Sequence, residues 1–183
     1  DVEKSMTPDF KNANDLIYII GSTRSELGAS EFYAMYGIIG KDVPKVNFEI
    51  SRKIYEQISK AINENLIESC HDCSDGGLAV ALAECAFSGG FGIEVDLANV
   101  PKEGNLSDEE ILFSESAGRF VVSIKAKNKE KFENLMNSKG INFGNIGFVS
   151  DSKQFIINGN KGKKTIINVD IEELRNAWKN PLS

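Results

Sequence analysis

Three short stretches carry residues whose types and spacing could do chemistry. The first is Cys70-His71-Asp72-Cys73-Ser74-Asp75-Gly76-Gly77, followed by the small-residue run LAVALAECAFSGG. The paired glycines allow a sharp turn and leave amide N–H groups uncovered. Ser74 and Asp75 are both suited to cap a helix that starts beside them. A helix N-terminus carries a partial positive charge and unpaired donors, so Ser74, Asp75, Gly76 and Gly77 could seat a phosphate. The same residues also read as a capped helix after a strand, with glycines that serve only the turn.

Cys70-His71-Asp72-Cys73 permits three readings. Zinc needs four ligands, but the chain offers only Cys85 beyond this group and no second histidine. On a strand, Cys70 and Cys73 would also point to opposite faces. A thioredoxin-like pair would stand directly before its helix, whereas here Ser74, Asp75 and two glycines intervene. The third reading is of cysteines as small buried residues. His71 is the only histidine, so no other histidine can act as a general base. As strand neighbours, His71 and Asp72 are expected to face opposite ways and not to pair, which favours a structural or orienting histidine.

The second cluster is Ser114-Glu115-Ser116-Ala117-Gly118-Arg119. Arg119 could clamp a phosphate or carboxylate through two donors. The alternative is a polar turn closed by an internal Glu–Arg ion pair. The third, Thr23-Arg24-Ser25-Glu26-Leu27-Gly28, reads first as a surface loop, although loops held by a rigid scaffold can carry function. No P-loop, Rossmann fingerprint, nucleophile elbow or paired metal carboxylates stand out.

These clusters need elements to position them. Strands are expected at 16–20, 66–72, 91–97, 120–125, 143–149, 154–158 and 165–169. A short helix is expected at 31–36 and a helical turn at 108–113. The clearest helix covers 47–65, capped by Asn47, with Phe48, Ile50, Ile54, Ile58, Ala61 and Ile62 as its apolar stripe. The small-residue helix follows Gly77 and brings Leu78, Leu82 and Cys85 together beside Ala79, Ala83 and Ala86. Asn128 should cap a helix over 129–138. Asp170 should cap a last one, with Leu174, Ala177 and Trp178 on one face and Pro181 ending it. GNKGKK at 159–164 reads as a hairpin tip. Strands alternating with helices and then clustering imply an α/β (α+β) fold, a mixed β-sheet covered by helices.

At 183 residues with 41% hydrophobic and 26% charged residues, the chain suits one soluble domain with a real core. A net charge of -6 argues against a general nucleic-acid surface. No run reaches membrane-spanning length, and three cysteines with one histidine suit a reducing compartment rather than a disulfide framework. The opening DVEKSM lacks an initiator Met, which reads as a piece of something larger or a processed product.

LIYIIGSTRSELGASEFY, HDCSDGGLAVALAECAFSGGFGIEVDL and LFSESAGRFVVSI, in this order, resemble the C-terminal domain of the phosphoribosylformylglycinamidine synthase subunit II (synthetase) family. That family belongs to the aminoimidazole ribonucleotide synthetase-related superfamily. DVEKSMTPDFK resembles the segment leading into that domain, and LRNAWKNPL resembles the family's close. The resemblance implies residues 1–15 as a lead-in from a preceding domain and 16–183 as a single C-terminal synthetase-type domain. It implies an ATP-dependent ligase that converts formylglycinamide ribonucleotide and glutamine-derived ammonia to formylglycinamidine ribonucleotide in purine biosynthesis. ATP and Mg2+ would serve the full enzyme. Partners would be the preceding domains, a glutaminase subunit and a small accessory subunit, in the cytoplasm, with no nucleic acid or membrane.

The family's catalytic histidine and most of its magnesium carboxylates lie in other domains, so no catalytic or metal residue is assigned here and the isolated chain is expected to be inactive. Ser114, Glu115 and Ser116 match in type a substrate-contacting stretch in the first copy of this domain. The second copy's cleft is the degenerate one, which holds a structural nucleotide in longer relatives. Ser74, Asp75, Gly76, Gly77, Ser114, Glu115, Ser116 and Arg119 are therefore the nucleotide- or phosphate-binding candidates. Cys70 and Cys73 stand where small apolar residues are expected. A non-catalytic nucleotide-holding or structural domain, and a thiol redox domain, are the alternatives.

Overall fold

The structure is a computed structural model that describes residues 4–162 and 164–180. Its frame is a seven-stranded sheet. The strands are β1 (Leu16–Ile20), β2 (Ser69–Asp72), β3 (Gly92–Asp96), β4 (Phe120–Ile124), β5 (Phe143–Ser150), β6 (Gln154–Asn158) and β7 (Thr165–Asp170). Their order across the sheet is β2-β4-β1-β5-β3-β6-β7. Every pairing is antiparallel except β3 with β6. The mixed sheet covered by helices matches the sequence reading.

Unbroken apolar LIYII suits β1 because that strand lies in mid-sheet between β4 and β5 and is buried on both sides. One face of the sheet carries Ile17, Ile19, Val95, Val121 and Phe155. They pack against α3 (Gly77–Gly89), α4 (Asp108–Phe113) and α6 (Ile171–Lys179). The other face carries Tyr18, Ile20, Val122 and Ile124 under α2 (Phe48–Asn63) and α5 (Lys129–Asn137). A four-residue helix, α1 (Glu31–Ala34), sits in the loop region between β1 and α2.

Caps explain where several elements begin. Asn47 accepts from the Ile50 amide at 3.1 Å, as its residue type predicts. Ser107 and Glu110 form a reciprocal capping box at α4. Asp170 accepts from the Glu172 amide at 2.8 Å.

Other expectations need correction. Asn128 makes no side-chain cap bond. Its amide instead donates to the carbonyls of Asn65 and Leu66, tying the start of α5 to the end of α2. The predicted stripe of α2 is too wide: Ile54, Ile58 and Ala61 are buried, but Phe48 is 83% exposed and Ile50 49%. In α6 only Ile171 is buried; Leu174 packs partly buried against the core, Trp178 lies half exposed against the Phe87 ring at 5.7 Å, and Ala177 is exposed. The 66–72 strand is shorter than expected, because Leu66 and Ile67 enter the core before pairing begins. The β6–β7 hairpin closes through the Gly159 amide on the Lys164 carbonyl at 2.9 Å. Lys163 of the predicted tip and Pro181 lie outside the described residues.

Candidate functional site

The register of three neighbouring strands decides which loops meet. Ile20 pairs with Phe120, and Phe120 pairs with Asp72. The chain leaving β1, the chain leaving β2 and the chain entering β4 therefore emerge at the same sheet end. The three clusters that stand out in the sequence are those three segments.

Arg119 is their hub. It is 1% exposed. Its Nε donates to the Ser116 carbonyl at 3.0 Å and its Nη1 to Thr23 Oγ1 at 3.0 Å. Its Nη2 donates to the Ser114 carbonyl, and its own carbonyl accepts from the Cys73 amide at 2.9 Å. Burial draws its pKa down from the ordinary arginine value. Gly21, at φ +92°, lets the first loop pass close by; a Cβ there would meet the Gly118 carbonyl at 2.7 Å.

These contacts correct two expectations. Arg119 is not free to clamp a phosphate, because its side chain points inward and its donors hold the loops. It also makes no ion pair with Glu115; among the described residues its partners are carbonyls and a hydroxyl.

The first and third segments interlock. The Arg24 amide donates to Ser116 Oγ at 3.0 Å, and the Glu26 amide to Ser114 Oγ at 3.3 Å. The Glu115 amide donates to the Glu26 carbonyl at 3.2 Å. Thr23, Glu26, Leu27 and Gly28 are buried, so the 23–28 stretch is anchored in the interior and only Ser25 stands exposed. Glu26 Oε1 accepts from Arg24 Nε at 3.2 Å and from the Lys45 amide at 3.1 Å.

The turn before α3 also differs from its prediction. The cap position falls on Gly76, at φ +74°, which has no side chain of its own to cap with. Two successive left-handed glycines swing the chain so that Ser74 and Asp75 stay exposed and cap nothing. The anion seat exists, but the protein fills it. Glu115 Oε1 accepts from the Gly76 amide at 2.9 Å and from the Glu31 amide at 3.0 Å, joining the starts of α3 and α1. Turn and bend touch directly, with no groove between them. A Cβ on Gly77 would meet the Ser114 carbonyl at 2.5 Å.

The cysteine segment faces elsewhere. His71 Nε2 lies 2.8 Å from Glu84 Oε2, and its Nδ1 lies 3.4 Å from Asp72 Oδ1. The expectation that Asp72 faces wholly away fails, because β2 ends at Asp72 and its side chain is free to turn back. Glu84 Oε1 in turn accepts from the Trp178 indole N–H at 3.0 Å. Burial pushes the Cys70 thiol up to about 12 and the Cys73 thiol up to about 11. Reactive thiols need exposure and the opposite shift, whereas Cys73 and Cys85 are buried and Cys70 only partly exposed, which speaks against the redox reading. Among the described residues no group of three or more His, Cys, Asp or Glu side chains is placed to hold a metal ion.

The sequence reading missed Glu26 as a buried anchor and the Glu31 amide as a donor to Glu115. A backbone N–H has no sequence signature of its own. A cavity of about 110 Å³ adjoins the cluster, lined in part by Gly21, Ser22, Arg24, Ser51, Gly118 and Asn142. It is smaller than the ~300 Å³ at which ligand pockets begin.

Comparison with known proteins follows the same lines. The family described as "AIR synthase related protein, C-terminal domain" matches residues 12–159. A Thermococcus sibiricus protein named phosphoribosylformylglycinamidine synthase subunit PurL is 42% identical over 174 residues, 95% of this chain and 23% of its own length. An Alkaliphilus metalliredigens protein of the same name is 33% identical over 184 residues, 100% of this chain and 24% of its own. The chain thus spans about a quarter of the length of these relatives. Thermotoga maritima PurL complexed with FGAR superposes with a TM-score of 0.84 at 18% identity, covering 94% of this chain and 29% of that one. Escherichia coli HypE, a hydrogenase maturation protein, superposes with a TM-score of 0.67 at 16% identity, covering 91% and 52%. At those identities the two structures speak for the fold.

Proposed function

Because the chain belongs to the AIR synthase-related C-terminal domain family, we propose that it works as one domain of an ATP-dependent ligase. That ligase converts formylglycinamide ribonucleotide and glutamine-derived ammonia to formylglycinamidine ribonucleotide. Residues 16–183 would be the synthetase-type domain and 1–15 its lead-in. The observation that carries the reading is the 42% identity over 95% of the chain to a protein named for that synthase. Solved complexes of T. maritima PurL with ATP, ADP and FGAR support the choice of nucleotide and substrate.

Residues 74–77 and 114–116 would form one wall of a cleft completed by the rest of the synthetase, with Arg119 bracing it from beneath. ATP and Mg2+ would be held mainly outside this chain, because Glu115 already occupies the anion seat at the loop cluster. A glutaminase subunit and a small accessory subunit would complete the complex, in the cytoplasm; the solved structure of PurLQS from T. maritima supports an assembly of this kind.

The test is a chimaera in which these 183 residues replace the matching quarter of the T. sibiricus protein. It should form formylglycinamidine ribonucleotide from its substrates, ATP and ammonia, while the 183-residue chain alone should form none. A folded chimaera without activity would overturn the reading.

A second role within the same enzyme, a scaffold that does no chemistry, is favoured by one observation. Glu115 already satisfies the Gly76 amide, so the domain closes its own anion seat.

A further inference from the structure

The segment from Met35 to Tyr55 exposes large apolar side chains at a density that the rest of the described surface does not match. Met35 is 81% exposed, Ile39 77%, Phe48 83%, and Tyr36, Val46 and Tyr55 are each more than half exposed. Isolated exposed apolar residues are ordinary, but a concentration of them marks an interaction surface. Helix α2 shows the pattern most clearly. Ile54, Ile58 and Ala61 face the sheet, while Phe48 and Tyr55, seven positions apart, line a groove of about 380 Å³ with Val46, Ser51, Arg52 and Glu56. A helix with apolar residues on a second face is built to be covered on that face too.

We propose that this segment is the face on which the domain docks against another domain of the same polypeptide. The inference rests on the reading of the chain as one domain of a longer synthetase. Relatives that align with 95% and 100% of this chain, the segment included, are about four times as long. Met, Tyr, Ile, Val and Phe interspersed with Lys41, Asp42, Lys45, Glu49, Arg52 and Lys53 suit an interface with an apolar centre and a charged rim.

The segment is also wired to the loop cluster. The Lys45 amide donates to Glu26, and Arg24 Nη2 donates to the Lys45 carbonyl. A domain seated on 35–55 would therefore lie beside the cavity at Gly21 and Gly118 and supply the walls that it lacks.

Hydroxyl-radical footprinting tests this directly, because Met, Phe and Tyr side chains are readily oxidised when exposed. Met35, Tyr36 and Phe48 should be modified at least tenfold more slowly in the T. sibiricus chimaera than in the 183-residue chain. The double variant Ile39→Glu, Phe48→Glu should leave the melting temperature of the 183-residue chain unchanged within 2 °C and abolish the protection in the chimaera.

Equal modification rates in the two proteins would overturn the proposal. So would protection that rises with concentration in the 183-residue chain together with a sedimenting dimer, since a second copy would then be the occupant. Where the chimaera does not fold, mixing the relative's other three-quarters with the 183-residue chain gives the same readout. A chimaera that shows protection without activity would sink the proposed reaction and leave the docking face standing.

Discussion

Arg119 sets the energetics at the scale of single residues. A buried guanidinium whose donors reach two carbonyls and one hydroxyl cannot be truncated without orphaning those acceptors. Arg119→Leu should lower unfolding free energy by about 3 kcal/mol or more, measured by urea denaturation, and Arg119→Lys should recover little of it because an ammonium cannot span all three acceptors. The thiols give a pH signature. Cys70 and Cys73 are raised from 9.0 to about 12 and about 11. The folded state thus holds its thiol protons to higher pH than the unfolded chain does. Their contribution is complete below pH 9 and falls away as the pH climbs towards 11 and 12. Thermal melts from pH 8 to 11 should show that decline, and Cys73→Ala should flatten it. Residue type alone made Arg119 and Glu115 conspicuous, but not their roles. An arginine before a strand looks the same whether its side chain points out to a ligand or in to a carbonyl. Only the third dimension shows that Glu115 reaches the Gly76 amide.

Elements were more legible than sites, because periodicity and capping are local. The strands at Leu16–Ile20 and Gln154–Asn158 and the start of α2 fall where the sequence places them. The paired glycines before α3 announced a turn but not its handedness, so Ser74 and Asp75 looked like caps. Gly77→Ala should cost about 2 kcal/mol, since φ there is +64° and a Cβ would strike the Ser114 carbonyl. Glu115→Ala should cost about 1 kcal/mol by leaving the start of α3 uncapped, and Glu115→Gln should restore part of it. The same loss should let sulfate shift the Gly76 amide resonance in Glu115→Ala and not in the parent. At α4 the Glu110 carboxyl is held below its usual 4.5, chiefly by the Ser25 hydroxyl. It therefore adds stability above pH 4.5 that fades as the pH falls further. Ser25→Ala should make acid unfolding at α4 less steep.

The two-sided sheet and the α/β class could be argued for the whole molecule from the order of strand-like and helix-like stretches. Strand order could not, because periodicity carries no information about which strand lies beside which. The unequal exposure of α2 was likewise hidden: an apolar residue reads the same whether it meets its own core or another domain.

The place of β1 has a consequence for how the molecule is made. Its sheet neighbours, β4 and β5, follow it by about a hundred residues or more in the chain. During translation the sticky LIYII stretch leaves the ribosome and must wait for about a hundred further residues before either partner exists. At about 5–20 residues per second, that wait is on the order of 5–20 s. A nascent chain arrested before residue 120 should recruit chaperones at this stretch and release them once β4 has emerged.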